Sequence, residues 1–337
     1  MRRGPVISVI MPARNEGERV AATIKSLITS CAKPQEIEIV IVDDASAQHL
    51  APSASMVPQG IAAKIVRSRV HLGVGKARNL AVRKARGDIV FITDAHVRFS
   101  EGWDREIAKQ MIPNRILAAT IREIDSTWHG FGCRLVVPYM GTHWINNRPR
   151  GESEVQVASS SGTVMERSTF LELGGYDEGM IVYGGFEPEF SLRAWRHGAQ
   201  IIAAPGIEVF HRFKSPRETV KFIGRVRTFI VHNCLRFGVL HLPRAMILEM
   251  VRLQALEYRN HIQLALRFLE QRKAWERREE LASILPRDFA WFVRHFKLTD
   301  QAGHPIPVRS EKQCTKFQKA LSITSFKSNL KPFASAQ

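Results

Sequence analysis

Long apolar runs are missing from this 337-residue chain. No stretch of about 18 uncharged apolar residues occurs, so no membrane-spanning helix is expected. The apolar segment at residues 6–11 is too short for the hydrophobic region of a secretion signal. Cysteine is also scarce. Cys31, Cys133, Cys234 and Cys314 are scattered, with no CxxC pair. That spacing argues against a zinc ribbon or a disulfide framework and fits a reducing, cytoplasmic setting. Glycine and proline are not in excess, and no repeat or low-complexity tract stands out. Acidic residues are depleted towards the C-terminus: from Arg212 onward 24 Lys/Arg face 10 Asp/Glu, whereas 25 face 22 before it. The net charge of +17 therefore belongs mostly to the C-terminal part. A basic surface of this kind attracts anionic membranes, acidic ligands or nucleic acid. No recognised nucleic-acid motif accompanies it, so specific nucleic-acid binding is not expected. A non-catalytic protein binding nucleic acid or a membrane surface through this charge stands as the alternative to an enzyme.

What is present is an ordinary globular composition, 45% hydrophobic and 24% charged, in a chain long enough for a sizeable core. Residues 6–11, 37–42, 62–66 and 88–93 read as strands, and residues 16–30 and 73–85 as helices. Strand–helix alternation with continuously apolar strands predicts an α/β fold, a mostly parallel sheet flanked by helices. A short helix is expected at 190–197, capped by Gly198, and a strand at 199–204. Beyond residue 213 the pattern becomes helical, with predicted helices at 218–236, 244–280 and 287–296. Arg244, Arg252, Arg259 and Arg267 would spread over about half of one face of the middle helix. Three segments follow: residues 1–213 as the α/β domain, 214–298 as a basic helical extension, and 299–337 as a loosely structured basic tail.

Ligands of open α/β sheets bind beyond the carboxyl ends of the strands. Arg14, Glu16, Asp43, Asp44, Asp94 and His96 all fall at such ends. Asp94 and His96 are two residues apart, and in an extended chain positions i and i+2 point to the same side. One carboxylate and one imidazole can then reach a single divalent cation, a donor pair suited to Mn²⁺. The competing reading is an aspartate capping a turn and a histidine exposed on a loop. Asp43 or Asp44 can accept from a pyrimidine N–H or a ribose hydroxyl, or serve a turn.

These residues sit within longer motifs. Val9-Ile10-Met11-Pro12-Ala13-Arg14-Asn15-Glu16, the Asp43-Asp44-Ala45-Ser46 strand end, Gly73-Val74-Gly75-Lys76-Ala77-Arg78-Asn79 and Phe91-Ile92-Thr93-Asp94-Ala95-His96 occur in that order. Gly174-Gly175-Tyr176-Asp177-Glu178, Tyr183-Gly184-Gly185-Phe186-Glu187-Pro188-Glu189 and Ile207-Glu208-Val209-Phe210-His211 follow. Residues 1–213 resemble family 2 glycosyltransferases of GT-A fold. The DxH motif is most similar to that of polypeptide N-acetylgalactosaminyltransferases. The resemblance implies a UDP-sugar donor, with Pro12, Arg14, Glu16, Asp43, Asp44, Arg78, Asp94, Ala95 and Gly162 around the nucleotide sugar. It implies Mn²⁺, with Mg²⁺ the alternative, held by Asp94, His96 and a third ligand, His211. In the acceptor-side block Phe186 takes the place of the first acidic residue of many relatives, Glu187 the Asn/Asp place and Glu189 the later acidic one. Glu187 is then the candidate general base and Glu189 its acidic neighbour, unless both merely favour a helix N-terminus. The implied reaction moves a hexose or N-acetylhexosamine to a peptide, saccharide or natural-product acceptor. The basic extension would pack on the catalytic domain or touch an acidic acceptor or an anionic membrane. A sugar-1-phosphate nucleotidyltransferase would share the fold, but residues 12–17 lack the Gly-rich basic loop such chemistry favours.

Overall fold

The computed structural model describes residues 6–50, 57–300 and 303–307. The α/β part runs β1 (Ile7–Ala13), α1 (Glu18–Thr29), β2 (Ile37–Asp44), β3 (Ala62–Ser68), α2 (Val74–Lys84), β4 (Ile89–Ile92), β5 (Val97–Phe99) and α3 (Trp103–Gln110). It continues with β6 (Arg115–Glu123), β7 (His129–Gly130), β8 (Cys133–Val136), β9 (Gly141–Trp144), β10 (Thr163–Glu166), α4 (Arg167–Glu172), α5 (Phe186–His197) and β11 (Gln200–His211). Five helices follow: α6 (Pro216–His241), α7 (Arg244–Glu257), α8 (Arg259–Gln271), α9 (Ala274–Ile284) and α10 (Phe289–Phe296).

The main sheet has the order β3-β2-β1-β4-β10-β6-β11-β5, with β7 paired to β6. Strands β3, β2, β1 and β4 are mutually parallel, as are β6 and β11. β10 is antiparallel to both β4 and β6, and β5 is antiparallel to β11. This polarity matters for the site. Thr163 at the start of β10 pairs with Ile92 at the end of β4, so the segment before β10 lies at the same sheet edge as the carboxyl ends of the parallel strands.

Every residue of β2 is buried, because the sheet is covered on both faces. Ile39 and Ile41 face α1 and α3 through Val20, Ile24, Leu27 and Trp103. Val40 and Val42 face a second cluster that holds Ala77, Phe186, Phe237, Met250 and Phe289. The helices beyond His211 therefore share a hydrophobic core with α2 and α5, as the packing reading of the extension expected.

Three local expectations change. The long helix expected at 244–280 is three helices, interrupted at Tyr258 and at Lys273, whose φ is 49°. No glycine or proline marks either break. Arg244 and Arg252 lie on α7 and Arg259 and Arg267 on α8, so the four arginines do not share one helix face. Helix α5 starts at Phe186, one turn before the expected position, which puts Glu187 and Glu189 in its first turn. Strand β11 continues to His211 through a register shift between Ala204 and Glu208. Pro205 within that shift has no N–H to donate to the ladder.

Cys31, Cys133 and Cys234 are unpaired and buried. Burial pushes the Cys31 and Cys133 thiols up to about 12, so they behave as small apolar side chains. Among the described residues no helix is long and apolar enough to cross a membrane. Cys314 and the tail at 308–337 lie outside the described residues.

Candidate active site

The carboxyl edge of the sheet gathers side chains from five directions. Asp94 follows β4, His96 precedes β5, His211 ends β11, Glu187 stands in the first turn of α5, and Arg78 reaches across from α2. One potential ligand atom each from Asp94, His96 and His211 fall within 4.8 Å of one another. The two imidazole rings lie 4.9 Å apart, and His211 Nε2 is 3.5 Å from Asp94 Oδ2.

The residues fit a divalent cation. Nδ1 of both His96 and His211 is buried without a hydrogen-bond partner, which is costly unless something else engages the rings. His96 Nδ1 does lie 3.3 Å from Glu16 Oε2, but without hydrogen-bond alignment. Burial alone would raise the Asp94 pKa, yet His211 and Arg78 hold it well below the usual carboxylate range. A carboxylate and two imidazoles form a donor set for borderline divalent metals.

Arg78 is almost fully buried and organises this edge. Its Nη2 donates to Asp94 Oδ1 and to the Ser160 carbonyl, each at 3.0 Å. Its Nη1 donates to Glu187 Oε1 at 2.5 Å. The sequence expectation gave Arg78 to the nucleotide; in the structure its fork reaches two carboxylates. Ser161 donates from Oγ to Asp94 Oδ2 at 2.6 Å, so both oxygens of Asp94 are oriented. Ser161 carries no signal of its own in the sequence, because it is one hydroxyl among three consecutive serines.

Other expected residues have different surroundings. Glu189 is fully buried, and both of its oxygens accept from Arg193, at 2.8 and 2.7 Å. Its Oε1 also lies 3.2 Å from His241 Nε2. Burial would raise its pKa, but Arg193 and His241 drive it far down. The expectation of Glu189 as a catalytic carboxylate is therefore corrected: it is an interior anion, too deep to meet an acceptor. Phe186 is also interior. Its ring packs where a Cβ on Gly75 would lie 2.3 Å away, which accounts for both the glycine in α2 and the loss of an acidic residue here.

Asp43 accepts from the Ser46 and Leu50 amides and from Arg67, the last at 2.5 Å. Burial opposes its ionisation, but Ser46 and Arg67 lower its pKa. Asp44 accepts from the amides of Leu72 and Gly73, at 2.6 and 3.0 Å, and so secures the entry to α2. Asp43 thus holds its own turn, whereas Asp44 holds the segment before α2. Asn15, with φ 57°, ties the end of β1 to this turn: its amide donates to Ser46 Oγ and its Oδ1 accepts from Ala47. Pro12 pairs with Val42 inside the sheet, and Ala95 is buried. Arg14 is exposed, with Nη1 3.3 Å from the ring nitrogens of His71. The Gly162 carbonyl accepts from Ala119, and a Cβ there would meet that of Ala119 at 2.8 Å, so packing alone demands glycine.

The sequence matches the family described as glycosyl transferase family 2 over residues 8–171, about half of the chain. In sequence and fold it resembles the family 2, GT-A glycosyltransferases. It is 27% identical over 235 residues to a probable N-acetylgalactosaminyltransferase 6 of Caenorhabditis elegans, covering 62% of this chain and 38% of that protein. It is 26% identical over 236 residues to polypeptide N-acetylgalactosaminyltransferase 3 of Drosophila melanogaster, covering 63% and 35%. The chain thus spans little more than a third of the length of these relatives. A crystal structure of GalNAc-T7 with UDP, GalNAc and Mn²⁺ superposes with a TM-score of 0.65 at 19% identity, over 88% of this chain and 57% of that one. The GT-A fold extends past the matched family segment and takes in His211, which lies 40 residues beyond residue 171.

Proposed function

We propose that this protein transfers a hexose or N-acetylhexosamine from a UDP-sugar to a hydroxyl of a peptide acceptor, with Mn²⁺ held by Asp94, His96 and His211. The observation that carries this reading is the convergence of those three side chains, from three strand ends, around two unpartnered imidazole nitrogens. The donor set alone would also suit a non-haem iron site. The family resemblance, the printed names of the relatives and the placement beside the GT-A sheet edge support the sugar-nucleotide reading.

When bound, a divalent cation supplies Lewis-acid neutralisation of the departing diphosphate. The chain's own residues supply the rest. Arg78 and Ser161 fix the rotamer of Asp94, so its free lone pairs point in one direction. Arg78 also fixes Glu187, the carboxylate that accepts the acceptor proton if the reaction inverts the anomeric centre. In a retaining reaction the departing phosphate takes that proton, and Glu187 serves to position Arg78. Gly185, with φ 82°, makes the turn that brings Glu187 to the sheet edge.

The test is a thermal-shift and turnover panel with UDP-, GDP- and dTDP-sugars. UDP and Mn²⁺ together should raise the melting temperature more than either alone, and EDTA should remove both the shift and UDP release. Asp94→Ala and His211→Ala should abolish the joint shift. Joint stabilisation that survives these substitutions, or none with any nucleotide, would overturn the proposal.

A further inference from the structure

The first half of α6 is unlike the rest of that helix. From Val231 to His241 every residue is buried, whereas Arg217, Glu218, Thr219, Val220 and Lys221 are all exposed. The overhang begins with a designed start: Ser215 accepts from the Glu218 amide while the Glu218 carboxylate accepts from the Ser215 amide. A capping box of this kind lets a helix hold its first turns without burial.

This overhang stands at the rim of the candidate active site. The ring of Phe213 lies 4.5 Å from that of His211. Lys214 Nζ lies 4.9 Å from the centre of the Phe222 ring, and Phe222 meets Tyr183 at 4.7 Å. Tyr183, half exposed, belongs to the loop that leads into Glu187. A continuous run of contacts therefore connects His211 to the second turn of α6 and back to the acceptor-side loop.

Arg217, Lys221 and Arg225 recur every four residues along the overhang and are exposed. None of the three forms an ion pair with an acidic side chain among the described residues, and Glu218 is the one acidic residue on the exposed turns. Four residues of α-helix rise about 6 Å. Alternate residues of an extended peptide, which point to the same side, are about 6.6 Å apart. Three cations at this spacing match three alternate carboxylates of an extended chain, whereas a bilayer surface imposes no such repeat.

The chain does not supply that partner itself. The undescribed segment at 308–337 holds one acidic residue, Glu311, against six Lys/Arg, and residues 51–56 hold none. A second copy would bring a net charge of +17 against +17, which opposes close approach. We infer that the exposed half of α6 is a docking ladder for an acidic, extended peptide whose hydroxyl residue enters the Asp94–His96–His211 site. This rests on the transferase reading above and names the acceptor class for it.

The experiment uses the full chain with UDP and Mn²⁺ and fluorescent peptides carrying one threonine next to several Glu-Ala repeats, or the same peptides with Gln-Ala repeats. Three exposed pairs predict about tenfold tighter binding of the acidic peptide at low ionic strength. The preference should fade at about 1 M salt. Arg217→Glu/Lys221→Glu/Arg225→Glu should remove the preference, and the corresponding triple Gln variant should give an intermediate one. Equal binding of both peptides, or a preference that survives charge reversal, overturns the inference. So does a reversal that releases the protein from phosphatidylserine vesicles while peptide binding stays as it was. UDP release from the donor, measured without peptide in the same preparation, decides the transferase reading separately. Intact release without charge preference removes only the acceptor assignment.

Discussion

Arg78 donates to Glu187 at 2.5 Å with one guanidinium nitrogen and to Asp94 at 3.0 Å with the other. A single buried cation thus joins the metal-side carboxylate to the acceptor-side carboxylate, although the three residues come from α2, the end of β4 and the start of α5. Because the guanidinium is planar and rigid, the distance between those carboxylates is set by one side chain.

Replacing Arg78 should therefore damage stability and binding together. Arg78→Met leaves two neighbouring carboxylates without their cation, and breaking a buried pair costs about 3–5 kcal/mol. The expected result is a melting temperature lower by roughly 10 °C and loss of the joint UDP–Mn²⁺ shift. Arg78→Lys retains the charge but not the fork, so it should recover part of the stability and little of the turnover. Differential scanning fluorimetry and initial rates on the same preparations check both.

Glu187 and Glu189 stand two residues apart and should respond in opposite ways. Glu187→Gln can still accept from Arg78, so folding should change little. If Glu187 is the base, kcat should fall about 10²-fold or more, and NMR of the product should show inversion. Glu189→Gln strips the charge facing Arg193 in the interior, at a cost of about 3 kcal/mol or more, while the surviving folded fraction should keep its turnover. Comparing kcat per folded molecule separates the two roles.

The contrast shows what a linear pattern carries and what it does not. The strands of the parallel half were legible because β2 is apolar from Ile39 to Val42 before its two aspartates, and burial on both sheet faces demands such a run. The DxH pair was legible because alternate residues of an extended segment share a side. His211 entered through the resemblance, since nothing local links it to Asp94, 117 positions earlier. The roles of Glu187 and Glu189 were not separable, because their burial depends on Arg193, one turn on, and on His241, in a helix 52 residues away. The break at Lys273 had no glycine or proline to announce it. Ser161 and Arg78 became site-organising residues only when antiparallel β10 brought residues 160 and 161 to the end of β4.

His241 gives the fold a pH dependence of definite sign. Its Nε2 faces Glu189 and its Nδ1 lies 3.1 Å from Arg196 Nη1, which can only donate. The ring is thus held neutral, with its proton on Nε2. Burial lowers its pKa to about 4; Glu189 opposes that shift, and Arg196 and Arg193 add to it. The unfolded chain binds this proton at about pH 6.5. Stability from the neutral ring is therefore complete above that pH and declines as the pH falls towards 4. His232, buried beside Gly179 and Ala265 and also lowered to about 4, adds to the same window. Glu189, whose folded pKa is depressed, loses its contribution only further down, below about pH 4. Denaturant titrations between about pH 7.5 and 5 should show falling stability without any acidic residue titrating strongly. His241→Gln should flatten the slope in part, because His232 remains.

Asn233 is one of the residues through which the helical extension reaches the site. It is fully buried in α6, and its Oδ1 accepts from the Ile181 amide at 2.8 Å. Its Nδ2 donates to the carbonyls of Ile181, Tyr183 and Gly184, at 2.9, 3.1 and 2.8 Å. One amide thus fixes the loop that runs into Gly185 and Glu187. The neighbouring ion pair of Arg236 with Asp177, at 2.6 Å, anchors the other end of that segment. Asn233→Ala would leave several buried backbone groups unsatisfied, each costing about 1–3 kcal/mol. It should lower the melting temperature and, because Asp94, His96 and His211 are held by other elements, raise the acceptor KM and lower kcat more than it weakens the UDP–Mn²⁺ shift. Asn233→Asp keeps the acceptor to Ile181 but removes the donors to three carbonyls and places a carboxylate against them, so it should be the more damaging of the two. A variant series in which the nucleotide shift and the acceptor kinetics fall in parallel would instead mean that Asn233 supports the whole site and not the acceptor-side loop.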